Sequence, residues 1–430
     1  MLLRPHIMRI IYRFKRSILQ PLARVAWKLF CNIFNIDINS RKSKKLIIKG
    51  LFFSLLCISL SLFCIQFINI FQVNTSIAAT NIVPPLSTKK SEIVDNTGKV
   101  VLLRGINWFG MEVDTHAPHG LWVRDYKQML AHIKSLGYNI IRLPYSVEAI
   151  KSSHINGVDF SIGANSELHG KTPLEVMDLV IQEARRQGLL ILLDSHCLKD
   201  GHISEVWYGD GFTEKDWIDT WILLAKRYKN QPNVIGADLK NEPHGRASWG
   251  TNDTTTDWRL AVQKAGNKIL DVNPNWLIVV EGIEKNVPNQ IQHGYFWGAN
   301  LEGVREYPVH IKKPNKLVYS PHEYGGSKVS WFQDSDFPNN LYQRWEIGFN
   351  YIHRKQIAPI FVGEFGGYHV DRNSKEGIWQ RKFVNFIAKN KLSFAYWCWN
   401  PNSKGTGGVL QDDWRTVNDS KQALLNKILS

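Results

Sequence analysis

From about residue 91 onward the chain alternates between short apolar runs and longer stretches in which apolar residues recur every three or four positions. Runs of the first kind read as buried strands, and those of the second as helices with one inward face. Strands are expected at 102–107, 139–144, 189–196, 234–241, 277–281, 317–322, 360–364 and 394–399. Most lack two-residue alternation, as parallel strands covered on both faces do. Between them, 124–136 places Tyr126, Met129, Leu130, Ile133 and Leu136 on one face and stops at Gly137. The segment 172–187 opens with Thr-Pro, a cap followed by proline at the first helical position. The segment 213–229 opens on Thr213 with Asp216 three residues on, and 257–271 and 340–354 look alike. Strand and helix alternating eight times predict an α/β architecture, a single (β/α)8 TIM barrel over 91–430. A hairpin turning at Asp95-Asn96-Thr97-Gly98 should open it. The rival, a doubly wound open sheet, would show a glycine-rich turn after its first strand, and Arg104-Gly105-Ile106-Asn107 is not one.

Ahead of this pattern lies a different one. Residues 51–71 form an uncharged, mainly apolar run of 21 residues, long enough to cross a bilayer. Arg41, Lys42, Lys44, Lys45 and Lys49 precede it, so that side should stay cytoplasmic and the rest of the chain lie outside. Ser76-Ile77-Ala78-Ala79 resembles a signal-peptidase site. The run is therefore either a retained transmembrane signal-anchor or a cleaved signal peptide. Residues 1–46 are basic and partly amphipathic, suited to the inner membrane surface or to a loose extension. Residues 72–90 read as a short linker, and nothing suggests an appended binding module.

Charge changes the picture by its position. Residues 1–50 hold 12 Lys and Arg against Asp37 alone, so +11 of the net +15 sits there and +4 remains for the rest. A nucleic-acid binder would need a basic face on its folded body, and this distribution argues against one. The 16 Trp are many, and suit either core packing or stacking against sugar rings. Beyond the apolar run only Cys197 and Cys398 remain, without metal-ligand spacing, and read as two buried, inert thiols.

Polar residues gather where strands end: Arg142, Asp194, His196, Asn241, Glu242, Glu281, His322, Tyr324, Glu364 and Trp397. In a barrel of this kind they share one mouth. Glu242 and Glu364 close the fourth and seventh strands, and a carboxylate there is expensive to keep unless it does chemistry. The reaction that most needs two carboxylates is cleavage of a glycosidic bond. On this reading the ionised Glu364, held by Arg142 and the Tyr324 hydroxyl, is the nucleophile, and Glu242 is proton donor and then base. Asn241 faces the sugar 2-hydroxyl, His196 and His322 position Glu242 or the leaving hydroxyl, and Trp397 floors the subsite. Trp108, Trp207, Tyr208, Trp249, Trp297 and Trp331 are expected beside outer subsites. Glu281 is expected to support the site from behind, and His116, His119 and His169 to be loop or packing residues. His196, His322 and Asp194 lack the close spacing of a zinc site, so no metal and no organic cofactor is expected.

Several stretches resemble glycoside hydrolase family 5, the cellulase family of retaining barrel enzymes. They include Gly105-Ile106-Asn107-Trp108, His119-Gly120-Leu121-Trp122, Ile141-Arg142-Leu143-Pro144, Asp238-Leu239-Lys240-Asn241-Glu242-Pro243-His244, Ser320-Pro321-His322-Glu323-Tyr324, Gly363-Glu364-Phe365-Gly366 and Trp399-Asn400-Pro401. The resemblance spans about 91–427 and is strongest to bacterial endo-1,4-β-glucanases. It implies Glu242 as acid and base, Glu364 as nucleophile, and Arg142, His196, Asn241, His322, Tyr324 and Trp397 as their partners. The chain departs from close members at Ser195, where they have arginine, and in lacking paired cysteines near 247–251. The expected protein is thus an exported, monomeric retaining endo-β-1,4-glucanase. Its alternatives are a β-mannanase, a mixed-linkage or xyloglucan-active glucanase and, more remotely, an inactive polysaccharide-binding protein at the membrane.

Overall fold

The computed structural model describes residues 82–326 and 329–429. The basic segment 1–50, the apolar run 51–71 and most of the linker lie outside the described residues. Within the compact unit 82–430, three short strands come first, β1 (Ser87–Lys89), β2 (Glu92–Val94) and β3 (Val100–Val101), paired antiparallel. The turn between β2 and β3 is the expected one, with Asp95 bonded to Lys99 and Gly98 through the main chain. The barrel strands follow: β4 (Arg104–Asn107), β5 (Ile140–Ser146), β6 (Leu190–Cys197), β7 (Val234–Asp238), β8 (Leu277–Glu281) and β9 (Leu317–Ser320). Next come β10 (His322–Tyr324), β11 (Phe361–Val362), β12 (Glu364–Gly366) and β13 (Ser393–Tyr396).

Among these residues one sheet has eight strands, all parallel, in the order β11-β13-β4-β5-β6-β7-β8-β9. Its two edges meet where the Tyr319 N–H donates to the Pro359 carbonyl at 3.0 Å. Above that bridge β10 continues β9, β12 continues β11, and the two pair in parallel with His322 opposite Glu364. The sixth and seventh expected strands are therefore each broken in two, and the upper halves close the ring at the mouth.

Side chains alternate along each strand. Leu103, Ile140, Leu190, Leu192, Leu277, Val279, Val318, Phe361 and Ala395 form one buried apolar cluster with Leu86, Ile93 and Val101, so the opening hairpin packs on the amino ends of the strands. Two residues further along β5, β6 and β8, the same faces carry Arg142, Asp194 and Glu281. The other faces pack on the helices in a second, larger cluster.

The helices start where their caps predict. Asp125 caps Tyr126–Ser135, and Thr172 with Glu175 forms a capping box ahead of Pro173–Arg186. Thr213 with Asp216 does the same for Glu214–Arg227, and Asp257 caps Trp258–Val272. The helix expected over 340–354 is widened in the middle: Leu341–Trp345 and Tyr351–Arg354 flank a wider turn at Glu346–Asn350. Its cause is outside the helix. Arg305 donates to the Ile347 carbonyl and the Leu301 N–H to that of Gly348, so two carbonyls of the wide turn accept from groups outside the helix. Two further helices are Lys375–Asn390 and Asp419–Leu429, but between β8 and β9 the expected eightfold alternation fails, with only a short 3-10 turn at Glu302–Arg305.

Much of the tryptophan is structural. Trp217 and Trp221 both donate to the Leu239 carbonyl, and Trp258 donates to that of Glu281. These carbonyls lie where β7 and β8 end, so indole N–H groups satisfy oxygens at the strand ends. Cys197 and Cys398 are buried and unpaired, as expected. No described helix is long and apolar enough to cross a membrane.

Candidate active site

The mouth of the barrel is organised around Arg142, which points inward from β5 and is fully buried. Its Nε donates to Asp238 at 2.8 Å. Nη1 donates to Glu364 Oε1 at 2.6 Å and to Asn107 Oδ1 at 3.0 Å. Nη2 donates to Asn241 Oδ1 and to Glu281 Oε1, each at 3.0 Å, and stands 3.1 Å from Asp194. A guanidinium is built for this, with five donors in a fixed fork and a charge that does not titrate away. The surrounding carboxylates hold its pKa well above the usual arginine value despite the burial that opposes it. Asp238 responds the other way: burial, beyond what Arg142 returns, pushes its carboxyl well up.

Glu364 opens β12 and is 3% exposed. Both its oxygens are occupied, Oε1 by Arg142 and Oε2 by the Tyr324 hydroxyl at 2.8 Å. One of these two donors is a fixed cation, and both bonds orient the carboxylate. Glu242 follows β7 in a loop, 5% exposed, and its backbone is left-handed at φ +51°. Its main-chain N–H donates to Glu281 Oε2 at 2.7 Å. Its Oε1 lies 3.1 Å from His322 Nδ1, whose other nitrogen is 3.1 Å from Glu281. Burial raises the Glu242 pKa and the charges of Glu364 and Glu281 add to it, while His322 works against them. The two carboxyls thus have unequal surroundings, one held by donors and one desolvated beside negative charge. One polar atom from each of Glu242, His322 and Glu364 lies within 4.8 Å of the other two.

Burial pulls the His196 pKa down, but the Asp194 carboxylate, 2.7 Å from Nδ1, outweighs it and holds the ring at about 9. His196 stacks on Trp397 at 5.5 Å, and Phe109 stacks on the same indole at 5.4 Å. Trp397 is left half-buried, tethered through Nε1 to Ser403 at 3.1 Å. Asn241 Nδ2 lies 3.3 Å from His196 Nε2, and its Oδ1 accepts from Arg142, which fixes the orientation of the amide.

The expected residues Arg142, His196, Asn241, Glu242, His322, Tyr324, Glu364 and Trp397 therefore do converge. Trp108 and Trp207 do not belong with them. They are 0% and 1% exposed, with Nε1 bonded to the His119 carbonyl and to Glu214, and offer no ring face to a ligand. Trp249 and Trp331 are likewise buried, and Tyr208 is half-buried with its hydroxyl on Thr255. Of that group only Trp297 is open, at 37%, its face against His244 at 3.7 Å. Trp122 and Tyr368, exposed at 37% and 51%, are aromatic candidates that the strand-end pattern passed over. The pattern also passed over the polar Asn107 and Asp238, which bond Arg142 and whose signal is only an inward position two residues beyond an inward neighbour. His119 packs edge-on against Phe109 and Trp122 and bonds Asn402 and Thr115, and His116 pairs with Asp200.

Two groups among the described residues have the spacing of metal ligands: Glu242, His322 and Glu364, and Asp238, Glu281 and His322. Arg142 already supplies positive charge to Asp238, Glu281 and Glu364. The arrangement resolves into one carboxyl pair, a cation behind it, and an aromatic floor beside it.

Residues 94–403 match the model of cellulase (glycosyl hydrolase family 5). An endoglucanase of Paenibacillus polymyxa is 49% identical over 345 residues, covering 80% of this chain and 86% of the relative. The major extracellular endoglucanase of Xanthomonas campestris pv. campestris is 40% identical over 341 residues, 78% of this chain and 69% of its own. Among solved structures, a variant endocellulase of Pyrococcus horikoshii in complex with cellotetraose superposes with a TM-score of 0.76 at 39% identity, over 82% of this chain and all of that one.

Proposed function

This chain belongs to the cellulase family, glycosyl hydrolase family 5, and from that premise we propose that it is a retaining endo-β-1,4-glucanase with Glu364 as nucleophile and Glu242 as acid and base. The observation that carries the assignment is proximity: one carboxylate oxygen of Glu242 and one of Glu364 lie within 4.8 Å of each other, leaving no room for a water between two widely separated carboxyls. Retaining enzymes set their carboxyls about 5–5.5 Å apart, whereas inverting ones need about 6.5–9.5 Å to admit a water.

The reaction then runs in two displacements. An oxygen of Glu364 forms a bond to the anomeric carbon as the glycosidic bond breaks. Glu242 gives its proton to the departing sugar oxygen, and the electron pair leaves with that oxygen. Esterification removes the negative charge of Glu364, one of the causes that raise the Glu242 pKa. Glu242 becomes the stronger acid, remains ionised, and takes a proton from water. The water oxygen bonds the anomeric carbon, the ester bond breaks, and Glu364 regains its carboxylate. Both inversions at the anomeric carbon cancel, so the product keeps the β configuration.

Tyr324 and Arg142 hold Glu364 in line for attack. The Asn241 amide, oriented by Arg142 and His196, is the donor for the sugar 2-hydroxyl, a contact that strengthens in the transition state. Trp397 supplies the flat face under the ring. Trp297 and Trp122 extend the aromatic surface toward outer subsites. The substrate is a β-1,4-glucan, and the chemistry uses neither metal nor organic cofactor.

Export completes the proposal. Basic residues precede an apolar run at 51–71, and one relative is described as extracellular. The barrel, 91–430, then works outside the cytoplasmic membrane, either freed near Ala79 or anchored through 51–71.

The test is a substrate panel on the purified protein: carboxymethylcellulose, lichenan, xyloglucan, glucomannan and cello-oligosaccharides. Internal cleavage of the cellulosic substrates with β-anomeric product by proton NMR is expected. Absence of new reducing ends from every β-1,4-glucan, or an α-anomeric first product, would overturn the reading. Faster turnover of glucomannan than of cellulosic substrates would move it to a mannanase.

A further inference from the structure

Glu281 forms and breaks no bond in that reaction, yet it is fully buried and touches both halves of the site. Its Oε2 accepts the Glu242 main-chain N–H at 2.7 Å. Its Oε1 accepts from Arg142 at 3.0 Å and stands 3.1 Å from His322 Nε2, across the imidazole from Glu242. Glu242 sits at φ +51°, a conformation that residues with a Cβ rarely adopt and that needs an outside hold. The loop carrying Gly298 lies directly on this contact. A Cβ placed on Gly298 would stand 2.6 Å from Glu281 Oε2 and 3.4 Å from Glu242 Cα.

Resting on the glucanase reading, we infer that Glu281 is a positioning residue for the proton donor: it pins the left-handed backbone of Glu242 and braces His322 from behind, so that the Glu242 carboxyl stays aimed at the leaving oxygen. A carboxylate suits this place because two donors converge on it, a main-chain N–H and a guanidinium, with the His322 ring nitrogen 3.1 Å away. An amide of the same shape would turn N–H groups toward donors and lose part of the hold. Glu281 also touches Arg142, so it could instead serve only to balance that charge. The two roles separate by leaving group, because a good leaving group departs without a proton and is indifferent to the aim of Glu242.

The experiment compares kcat/KM of the full chain and its Glu281→Gln variant on two cellobiosides. Phenyl β-cellobioside needs the proton, and 2,4-dinitrophenyl β-cellobioside does not. General acid catalysis is worth about 10²–10⁴-fold. The variant is therefore expected to lose about 100-fold on the phenyl glycoside and less than about 5-fold on the dinitrophenyl glycoside. Equal loss on both would assign Glu281 to the nucleophile side and overturn the inference, as would no loss on either. Should Glu281→Gln fail to fold by circular dichroism, Glu281→Asp replaces it. That variant keeps the charge beside Arg142 but withdraws the carboxylate from the Glu242 N–H by one methylene, and it must show the same split between the two glycosides. Uniform loss or none there also overturns the inference. A wild-type chain that turned over neither glycoside nor any β-glucan would sink the glucanase reading itself, a result distinct from unsplit variants of an active wild type.

Discussion

Glu364 keeps a guanidinium on one oxygen and a phenol on the other, and Glu242 keeps neither. That asymmetry makes the roles testable one residue at a time. Glu364→Ala should lower kcat by roughly four orders of magnitude or more, since nothing else at the mouth can make the glycosyl bond. Its circular dichroism should be unchanged. Tyr324→Phe removes one donor from the nucleophile without removing its charge partner, and a loss of about 10²-fold in kcat is expected. Glu242 must be protonated to act as acid, and burial with neighbouring Glu364 raises its pKa. The alkaline limb of kcat/KM should therefore lie above the ordinary carboxylate value of 4.5, activity falling as pH rises through the raised pKa. An alkaline limb at or below 4.5 would contradict the assignment. The pair was legible in the chain because each glutamate stands just beyond an apolar run, 234–237 and 360–362. Asp238 and Asn107 were not, because their place beside Arg142 depends on which way their strands face.

On the element scale, β10 carries chemistry on one side and a different constraint on the other. His322 and Tyr324 face the site, while Glu323 faces the helices, where Trp345 Nε1 donates to it at 2.9 Å. Burial raises the Glu323 pKa from 4.5 to about 7. The folded chain therefore binds that proton more tightly than the unfolded one. The resulting stability is fully present below pH 4.5 and is lost as pH rises to about 7, up to about 3 kcal/mol at 1.36 kcal/mol per unit. Glu323→Gln should abolish this slope and melt higher than wild type at pH 8. An unchanged slope in thermal denaturation across pH 4.5–7 would place the proton elsewhere. The loops carrying Trp122 and Trp297 present the exposed indoles at 37% each, and alanine at either should raise KM for cellopentaose several-fold more than for cellotriose. Helix starts were legible because caps are local signals, as Thr172 with Glu175 shows. The widened turn at Glu346–Asn350 was not, because Arg305 and Leu301 impose it from another part of the chain.

For the whole molecule, charge and core divide the chain between them. The segment 1–50 has most of the net charge, and the barrel has the buried apolar clusters and the site. Export is checked by the amino terminus of the mature protein: sequencing should find it near Ala79 for a cleaved signal, or the full terminus in the membrane fraction for an anchor. Activity confined to the cytosol would contradict both. By itself the sequence determined the eight barrel strands, most of the helices between them and the residue types at the strand ends, because periodicity, caps and chain breaks are written in neighbouring positions. Only the tertiary structure decided which of those residues meet. Arg142 reaches Glu364 across 222 positions of chain, and Glu281 reaches Glu242 across 39. Trp108 and Trp207 went to the core while Trp297 stayed open, although the three side chains are chemically identical. Burial and charge pairing are properties of the space between elements, and that space exists only once the barrel has closed.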